Sequence, residues 1–458
     1  MILIAGVRKY LEKTSSILLR LSLNSRNSTT QVEQPLRRNM KTKRGIFAVS
    51  TVVVAAAAMF ASTIPANAAG VNLKIGTIHP LTGGNADYGI GLNSAAEFGA
   101  ESVTKAMKKA KIAGSCKITA QEDDQATPAL AVEAATKLVK SDKVNAIVGP
   151  LTSGSTLAAA QSVAVPNNVV MIATAASSPA VTTFADKDLL FRTYPSDAFQ
   201  AKVIVKALQN SIGKKGTINI GARNDAFGTA LANVLTNEWV RGGGDVGQKV
   251  LWNPENATFD SEAKLLTDKA PDAWVFVDFP DTFAKVGPAL KRTGKWDPTK
   301  TFMTEAFNNE AVIQTIGVDI MAGVKGTSAI SIGIKADRWK NARKKAKPNT
   351  KETFVDGSGY DATVLLCLAA LHGKSVKSDS LKKSLRAVSG ANGGKNIPWT
   401  KMAKLVKAAA AGQAFTYQGA WTTAKFDKAG DTVGALFKVY NVEADGKITS
   451  DPKNNIRF

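Results

Sequence analysis

Two clusters of hydroxyl residues follow two successive β-branched runs in the first half of this 458-residue chain. Ser153-Gly154-Ser155-Thr156 comes after Val148-Gly149, and Thr174-Ala-Ala-Ser177-Ser178-Pro179 comes after the run ending at Ala173. A serine or threonine at such a point caps the next helix, and the backbone N–H groups beside it face an anion. Either cluster alone is ordinary capping. In an open parallel sheet, however, both fall at the carboxyl edge, where ligands bind, and two of them on neighbouring strands suggest a carboxylate site. Glu305, at the end of a β-like run in the second half and next to Ala306-Phe307, supplies the complementary charge for a ligand ammonium.

Other chemistries are less well served. A nucleophile at Ser153 or Ser155 needs an activating base, His79 is the only histidine in that half, and no Gly-x-Ser-x-Gly elbow surrounds either serine. Hydrolysis is therefore the weaker reading. Gly89-Ile-Gly91 lies between a strand and a helix, but Ser94 occupies the third glycine position of a dinucleotide loop, and the glycines are expected to let the chain turn into the helix. The pair Asp123-Asp124 is expected to serve the turn before Pro128 as caps and not to bind a cation. Cys116 and Cys367 read as two buried thiols before they read as a disulfide, and with His79 and His372 far apart no metal centre is expected. No cofactor is expected.

The elements that position these residues alternate. Strands are predicted at Leu73–Ile78, Lys117–Gln121, Ala146–Gly149 and Val169–Ala173, with helices near Gly91–Met107, Pro128–Ser141 and Ser155–Val163 between them. In the second of these helices Ala131, Ala135 and Leu138 recur at helical spacing, with Lys137 and Lys140 outward. After Arg192-Thr-Tyr-Pro the alternation restarts: strand Thr217–Ala222, helix Ala226–Arg241, strand Trp274–Asp278, helix Thr282–Arg292, strand Thr301–Thr304. Helices near Tyr360–Leu371 and Leu381–Val388 and extended pieces at Ala424–Asp427 and Ala435–Tyr440 close the chain. The pattern is βαβ units in a mainly parallel sheet, occurring twice, hence an α/β protein of two lobes.

Residues 40–68 have the three parts of an export signal: basic Lys41-Thr-Lys-Arg44, an apolar stretch over 46–60, and Ala66-Asn67-Ala68 at the cleavage position. Residues 1–39 read as an upstream extension ahead of Met40. No cysteine follows the apolar stretch, so the expectation is a soluble protein of the periplasm or cell envelope without a lipid anchor. The formal charge of +22 is partly the leader's, because ten Lys/Arg and two Asp/Glu fall within 1–68 and the remainder carries +14. That excess is scattered lysine without interleaved arginine and aromatic residues, so nucleic acid is not an expected partner.

Taken together, the chain from Lys74 to about Tyr440 resembles the type I periplasmic binding proteins of the branched-chain amino-acid ABC transport family. The likeness rests on Pro80-Leu-Thr-Gly-Gly with Tyr88-Gly89, Asp123-Asp-Gln, Gly149-Pro-Leu-Thr-Ser153, Ala175-Ala-Ser177-Ser-Pro179, Phe191-Arg-Thr and Asn224-Asp-Ala-Phe227-Gly228. The resemblance implies two Rossmann-like lobes joined by three crossovers, near Ser196, Gly326 and Gly434, that close on ligand as a hinged trap. The first lobe would comprise 69–196 and 327–434, the second 197–326 and 435–458. It implies a monomeric, non-enzymatic protein that binds a branched-chain or other apolar amino acid in the cleft between the lobes and delivers it to the membrane permease subunits of an ATP-driven importer. It also assigns roles: Ser153 holds the ligand carboxylate, Ser177 serves carboxylate and ammonium, Ala175 offers its carbonyl to the ammonium, Tyr88 borders the side-chain pocket, and Glu305 pairs with the ammonium. Phe227 and Phe279 stand where tyrosines are usual, which makes the second-lobe side more apolar. The family's usual cysteine pair is absent from its place. A ligand without an ammonium, such as an amide, a urea-like solute or an aromatic acid, is the alternative.

Overall fold

The computed structural model describes residues 70–423 and 425–458. The predicted extension, the export signal and Ala424 lie outside the described residues.

Two parallel sheets form the frame. The first contains β1 (Val71–His79), β2 (Gly114–Asp123), β3 (Ala146–Val148), β4 (Val170–Ala173) and β5 (Leu190–Arg192) in the order β2-β1-β3-β4-β5, every pair parallel. The second repeats the pattern with β6 (Thr217–Arg223), β7 (Asp245–Trp252), β8 (Ala273–Val277), β9 (Thr301–Met303) and β10 (Lys325–Ala329) in the order β7-β6-β8-β9-β10. A two-stranded sheet pairs β11 (Lys395–Pro398) with β12 (Phe415–Gln418). Finally β13 (Leu436–Val442) runs antiparallel to β10 and carries β14 (Ile448–Thr449) and β15 (Ile456–Arg457). The central strands β3, β4 and β8 are buried along their whole length, as parallel strands covered by helices on both faces must be.

In each sheet strand order reverses beside its first strand, between β1 and β3 and between β6 and β8. At such a reversal the loops leaving the carboxyl ends diverge and leave a crevice. The chain passes from the first sheet to the second through the helix Asp197–Ile212, N-capped by Ser196, whose side chain accepts from the Ala198 N–H. It returns after β10, and β13 brings it back. The return expected at Gly326 is displaced to beyond Ala329, because the strand Lys325–Ala329 belongs whole to the second sheet, paired with β9 and β13.

The helix Asp356–Gly373 is buried on all sides from Asp356 to Leu371 and packs on the helix Ala86–Lys109. Cys367 on this helix reaches Cys116 on β2, and the two form a disulfide with their Cα atoms 5.7 Å apart. The expectation of two separate thiols is thereby corrected. They are 251 residues apart, and only the packing of the late helix onto the first sheet brings them together. Gly89 and Gly91 are also corrected: both lie within the helix Ala86–Lys109, where they are contact points. A Cβ on Gly89 would sit 1.8 Å from the Pro80 carbonyl oxygen, and one on Gly91 2.2 Å from Oδ1 of Asp356.

Candidate functional site

The loops at the two reversals face one cavity. Its lining includes all seven residues singled out from the sequence: Tyr88, Ser153, Ala175, Ser177, Phe227, Phe279 and Glu305. It also includes Tyr194, Phe354 and Val355, which were not foreseen. The cavity is small, about 50 Å³.

One end is made of hydroxyls. Thr152, not Ser153, N-caps the helix Ser153–Ala159 by accepting from the Ser155 N–H at 3.4 Å, which leaves Ser153 at the first helical position. The Ser153 Oγ accepts from the Ser178 N–H at 3.1 Å and so ties the two hydroxyl loops together. Behind them lies buried Arg192. Its guanidinium grips Asp431 through Nε at 2.7 Å and Nη2 at 2.6 Å, and donates through Nη1 to the carbonyls of Ala176 and Ser178 at 3.1 and 3.0 Å. A bidentate ion pair of this kind is rigid as well as strong. It fixes the backbone carrying Ala175 and Ser177.

At the opposite end Glu305 opens a 3₁₀ turn directly after β9. Its Oε2 accepts from Nε2 of Gln200 at 2.6 Å, and Gln200 Nε2 also lies 3.2 Å from Oγ1 of Thr327. Burial pushes the Glu305 carboxyl above the usual carboxylate range, opposed by the Gln200 bond. Asp197, fully buried nearby, is pushed well above that range by burial and then by the Glu305 charge. The Ser177 hydroxyl and the Arg192 charge partly offset that effect on Asp197. Phe307, the neighbour that drew attention to this segment, turns away and packs edge-on against Phe283 at 5.3 Å.

The walls are aromatic. Phe227 and Phe279 stack with ring centres 5.2 Å apart and planes 5° from parallel, and the Arg223 guanidinium lies 4.1 Å over the Phe279 ring. Tyr88 meets Phe354 edge-on at 5.7 Å, and Tyr194 stacks on Trp421 at 5.8 Å. Val355 and Phe354 come from the segment leading into the helix Asp356–Gly373 and carry no periodic signal. Tyr194 could have been found, since it stands in the Arg192-Thr-Tyr-Pro segment that marks the end of the first sheet.

His79 ends β1 and is fully buried. Its Nδ1 lies 2.7 Å from Oδ1 of Asn93 and its Nε2 3.1 Å from Oγ1 of Thr174, so both nitrogens are engaged away from Ser153 and Ser155. Asp123 pins the loop after β1: Oδ1 accepts from the Leu81 N–H at 2.8 Å and Oδ2 from the Thr82 hydroxyl at 2.5 Å. Asp123 thus holds the loop that leads into Tyr88, while Asp124 Oδ1 accepts from the Ala126 N–H at 3.1 Å in the turn before Pro128; the residue that precedes that helix as its cap is Thr127.

Comparison with known proteins bears on this arrangement. A family model described as periplasmic binding protein matches residues 72–434. A chemotactic signal transduction system substrate-binding protein of Halobacterium salinarum is 26% identical over 335 residues, 71% of this chain and 76% of its own. A Leu/Ile/Val-binding protein of Rhizobium johnstonii is 30% identical over 185 residues, 40% of this chain and 48% of its own. Among solved structures, the branched-chain amino acid transporter substrate binding protein of Streptococcus pneumoniae in complex with isoleucine superposes with a TM-score of 0.62 at 21% identity, over 84% of this chain and 100% of that one. A solute binding protein of Rhodopseudomonas palustris in complex with 3,4-dihydroxybenzoic acid does so with a TM-score of 0.60 at 22% identity, over 84% and 97%. These structural likenesses concern the fold.

Proposed function

The chain belongs to the periplasmic binding protein family, and we propose that it captures an α-amino acid with an apolar side chain in the cavity between its two sheets. The family is one of extracytoplasmic, non-catalytic solute-binding proteins that serve ABC transporters. The observation that carries the ligand reading is the polarity of the cavity, with Ser153, Ser177 and the Ala175 carbonyl at one side, Glu305 at the other, and aromatic rings between.

In this reading the ligand carboxylate takes the Ser153 and Ser177 hydroxyls. The ammonium lies between the Ala175 carbonyl and Glu305, whose carboxyl accepts from Gln200 and makes no ion pair among the described residues. The side chain lies against Tyr88, Phe227, Phe279 and Phe354. Burying an aliphatic side chain of Val, Leu or Ile size contributes roughly 1.5–3 kcal/mol. The charge-assisted bonds contribute orientation as well as affinity. Phenylalanine at 227 and 279 offers no hydroxyl to a polar side chain. The Leu/Ile/Val-binding relative supports this ligand class.

The relative bound to 3,4-dihydroxybenzoate motivates a second reading, an aromatic acid. Such a ligand would bring a carboxylate toward a cavity that already holds Glu305, and this favours the amino acid. The recipient of the loaded protein is the permease of an ATP-driven importer. The chemotactic relative shows that a signalling partner is also compatible with a related substrate-binding chain.

The test is thermal unfolding of residues 69–458 against amino acids, amides and aromatic acids, because a ligand that binds only the native state raises the midpoint by mass action. Shifts with Leu, Ile or Val are expected. Shifts confined to amides or aromatic acids would overturn the reading.

A further inference from the structure

We propose that the glycine turn after β1 and the hydroxyl of Tyr88, on the first half of the molecule, form a closing latch with Asp281 and the Ala306 carbonyl on the second. This inference rests on the reading of the cavity as a binding site between two moving halves, and it adds which contacts hold them shut.

The latch has two parts. Deep in the cleft, Tyr88 Oη donates to the Ala306 carbonyl at 3.0 Å, joining the helix Ala86–Lys109 to the turn after β9. At the rim, Gly84 lies directly against Asp281 in the first turn of the helix Pro280–Arg292. A Cβ added at Gly84 would fall 2.7 Å from the Asp281 Cβ, closer than real Cβ contacts come, and 3.4 Å from its Cγ. The two adjacent glycines therefore do different work. Gly83 has φ +81° and open space where a Cβ would be, so it is needed for conformation. Gly84 has no such φ and is needed for the absence of a side chain.

Both sides are held before they meet. Asp123 ties down Leu81 and Thr82 immediately before the turn. On the other side Asp281 Oδ1 stands 3.9 Å from Nη1 of Arg223, which is itself bonded to Asp225 at 2.5 Å and laid over Phe279. The Arg223 side chain, fixed in this way, loses little freedom on closing. Because both contacts are between protein groups, they add the same closing free energy whatever the ligand is. Weakening them lowers the closed fraction, and apparent affinity falls by that fraction for every ligand alike.

The first experiment needs no ligand. Gly84→Cys combined with Asp281→Cys is oxidised, with the native pair Cys116–Cys367 already bonded to itself. A disulfide needs Cβ atoms about 3.5–4.5 Å apart, so a slight parting of the halves accommodates the bond. The cross-link is expected to form and to give a more compact small-angle scattering profile than the same variant reduced. A cysteine pair that stays reduced while both thiols remain reactive, or a profile that does not change on oxidation although the bond forms in a protein expanded when reduced, overturns the latch.

The second experiment uses whichever ligands the thermal panel identifies. Gly84→Val and Tyr88→Phe should each weaken all of them by a common factor of roughly tenfold, leaving their order unchanged, and the oxidised double variant should exchange ligand at least tenfold more slowly. A change of order without a common loss would place Tyr88 in ligand selection and overturn its latch role. If no amino acid binds wild type, the ligand reading fails while the cross-link and scattering still decide the latch.

Discussion

Replacing Glu305 by Gln separates ligand binding from folding, since the two should respond in opposite directions. The Glu305 carboxylate is buried, bonded to Gln200 at 2.6 Å, and its charge raises the pKa of Asp197. A glutamine side chain keeps an acceptor for Gln200 and removes a charge whose burial is unfavourable. Unliganded stability should therefore rise, by about 1 kcal/mol, a modest share of the range found when buried charges are replaced. With ligand the sign reverses. Removing one partner of a buried charge pair costs roughly 2–5 kcal/mol, and at 1.4 kcal/mol per tenfold this weakens binding from about 30-fold to a few thousand-fold. The pH dependence has a fixed sign too. The ammonium pairs with the ionised carboxylate, whose pKa burial raises, so affinity in wild type should fall as pH drops through that raised pKa, and Glu305→Gln should be flat there. Titration calorimetry with Leu, together with urea unfolding of the free proteins, measures both quantities. A dissociation constant within threefold of wild type would refute the ammonium role. Parallel losses in binding and stability would make Glu305 a structural residue.

Burial lowers the His79 pKa from 6.5 to about 4, so the unfolded chain binds the extra proton first. Stability from neutral His79 is present above about pH 6.5 and is lost as pH falls toward 4, by about 3 kcal/mol at 1.36 kcal/mol per unit, so wild-type stability, read from urea midpoints, should fall relative to His79→Gln across this window while the offset between the two stays constant above pH 7. Removing the Cys116–Cys367 bond by alanine at both positions frees a loop of 251 residues, for which chain entropy predicts a loss of about 5 kcal/mol, and an unchanged urea midpoint would contradict it. Phe354→Ala removes the edge contact to Tyr88 and enlarges the cavity, so the thermal panel should move toward bulkier side chains such as Phe, whereas an unchanged order would exclude Phe354 from selection.

The parts of the site that could be read from the sequence are those that a parallel sheet delivers by rule. Once Ala146–Val148 and Val170–Ala173 are recognised as neighbouring strands, the residues just after them must share one edge, and the hydroxyl clusters holding Ser153 and Ser177 follow. Tyr88, Ala175, Phe227 and Phe279 are named by the family resemblance alone, and the edge rule adds Glu305 after β9. It does not reach Phe354 and Val355, which arrive from a segment without periodicity because the helix behind them is buried on all sides and must enter the first core. Nor does it pair Cys116 with Cys367, a contact made by that same helix. The strand Asp245–Trp252 went unseen for a different reason. As the edge of the second sheet it buries only Trp252, so its alternation of Val, Gln and Lys looks like a solvated loop until β6 supplies the pairing. Rules that act along one βα unit were therefore legible, and contacts made by the late return of the chain were not. Gly84 lies at the boundary between these cases: its place after β1 was readable, but what stands against it is Asp281, almost two hundred residues away in the chain and delivered by the second sheet.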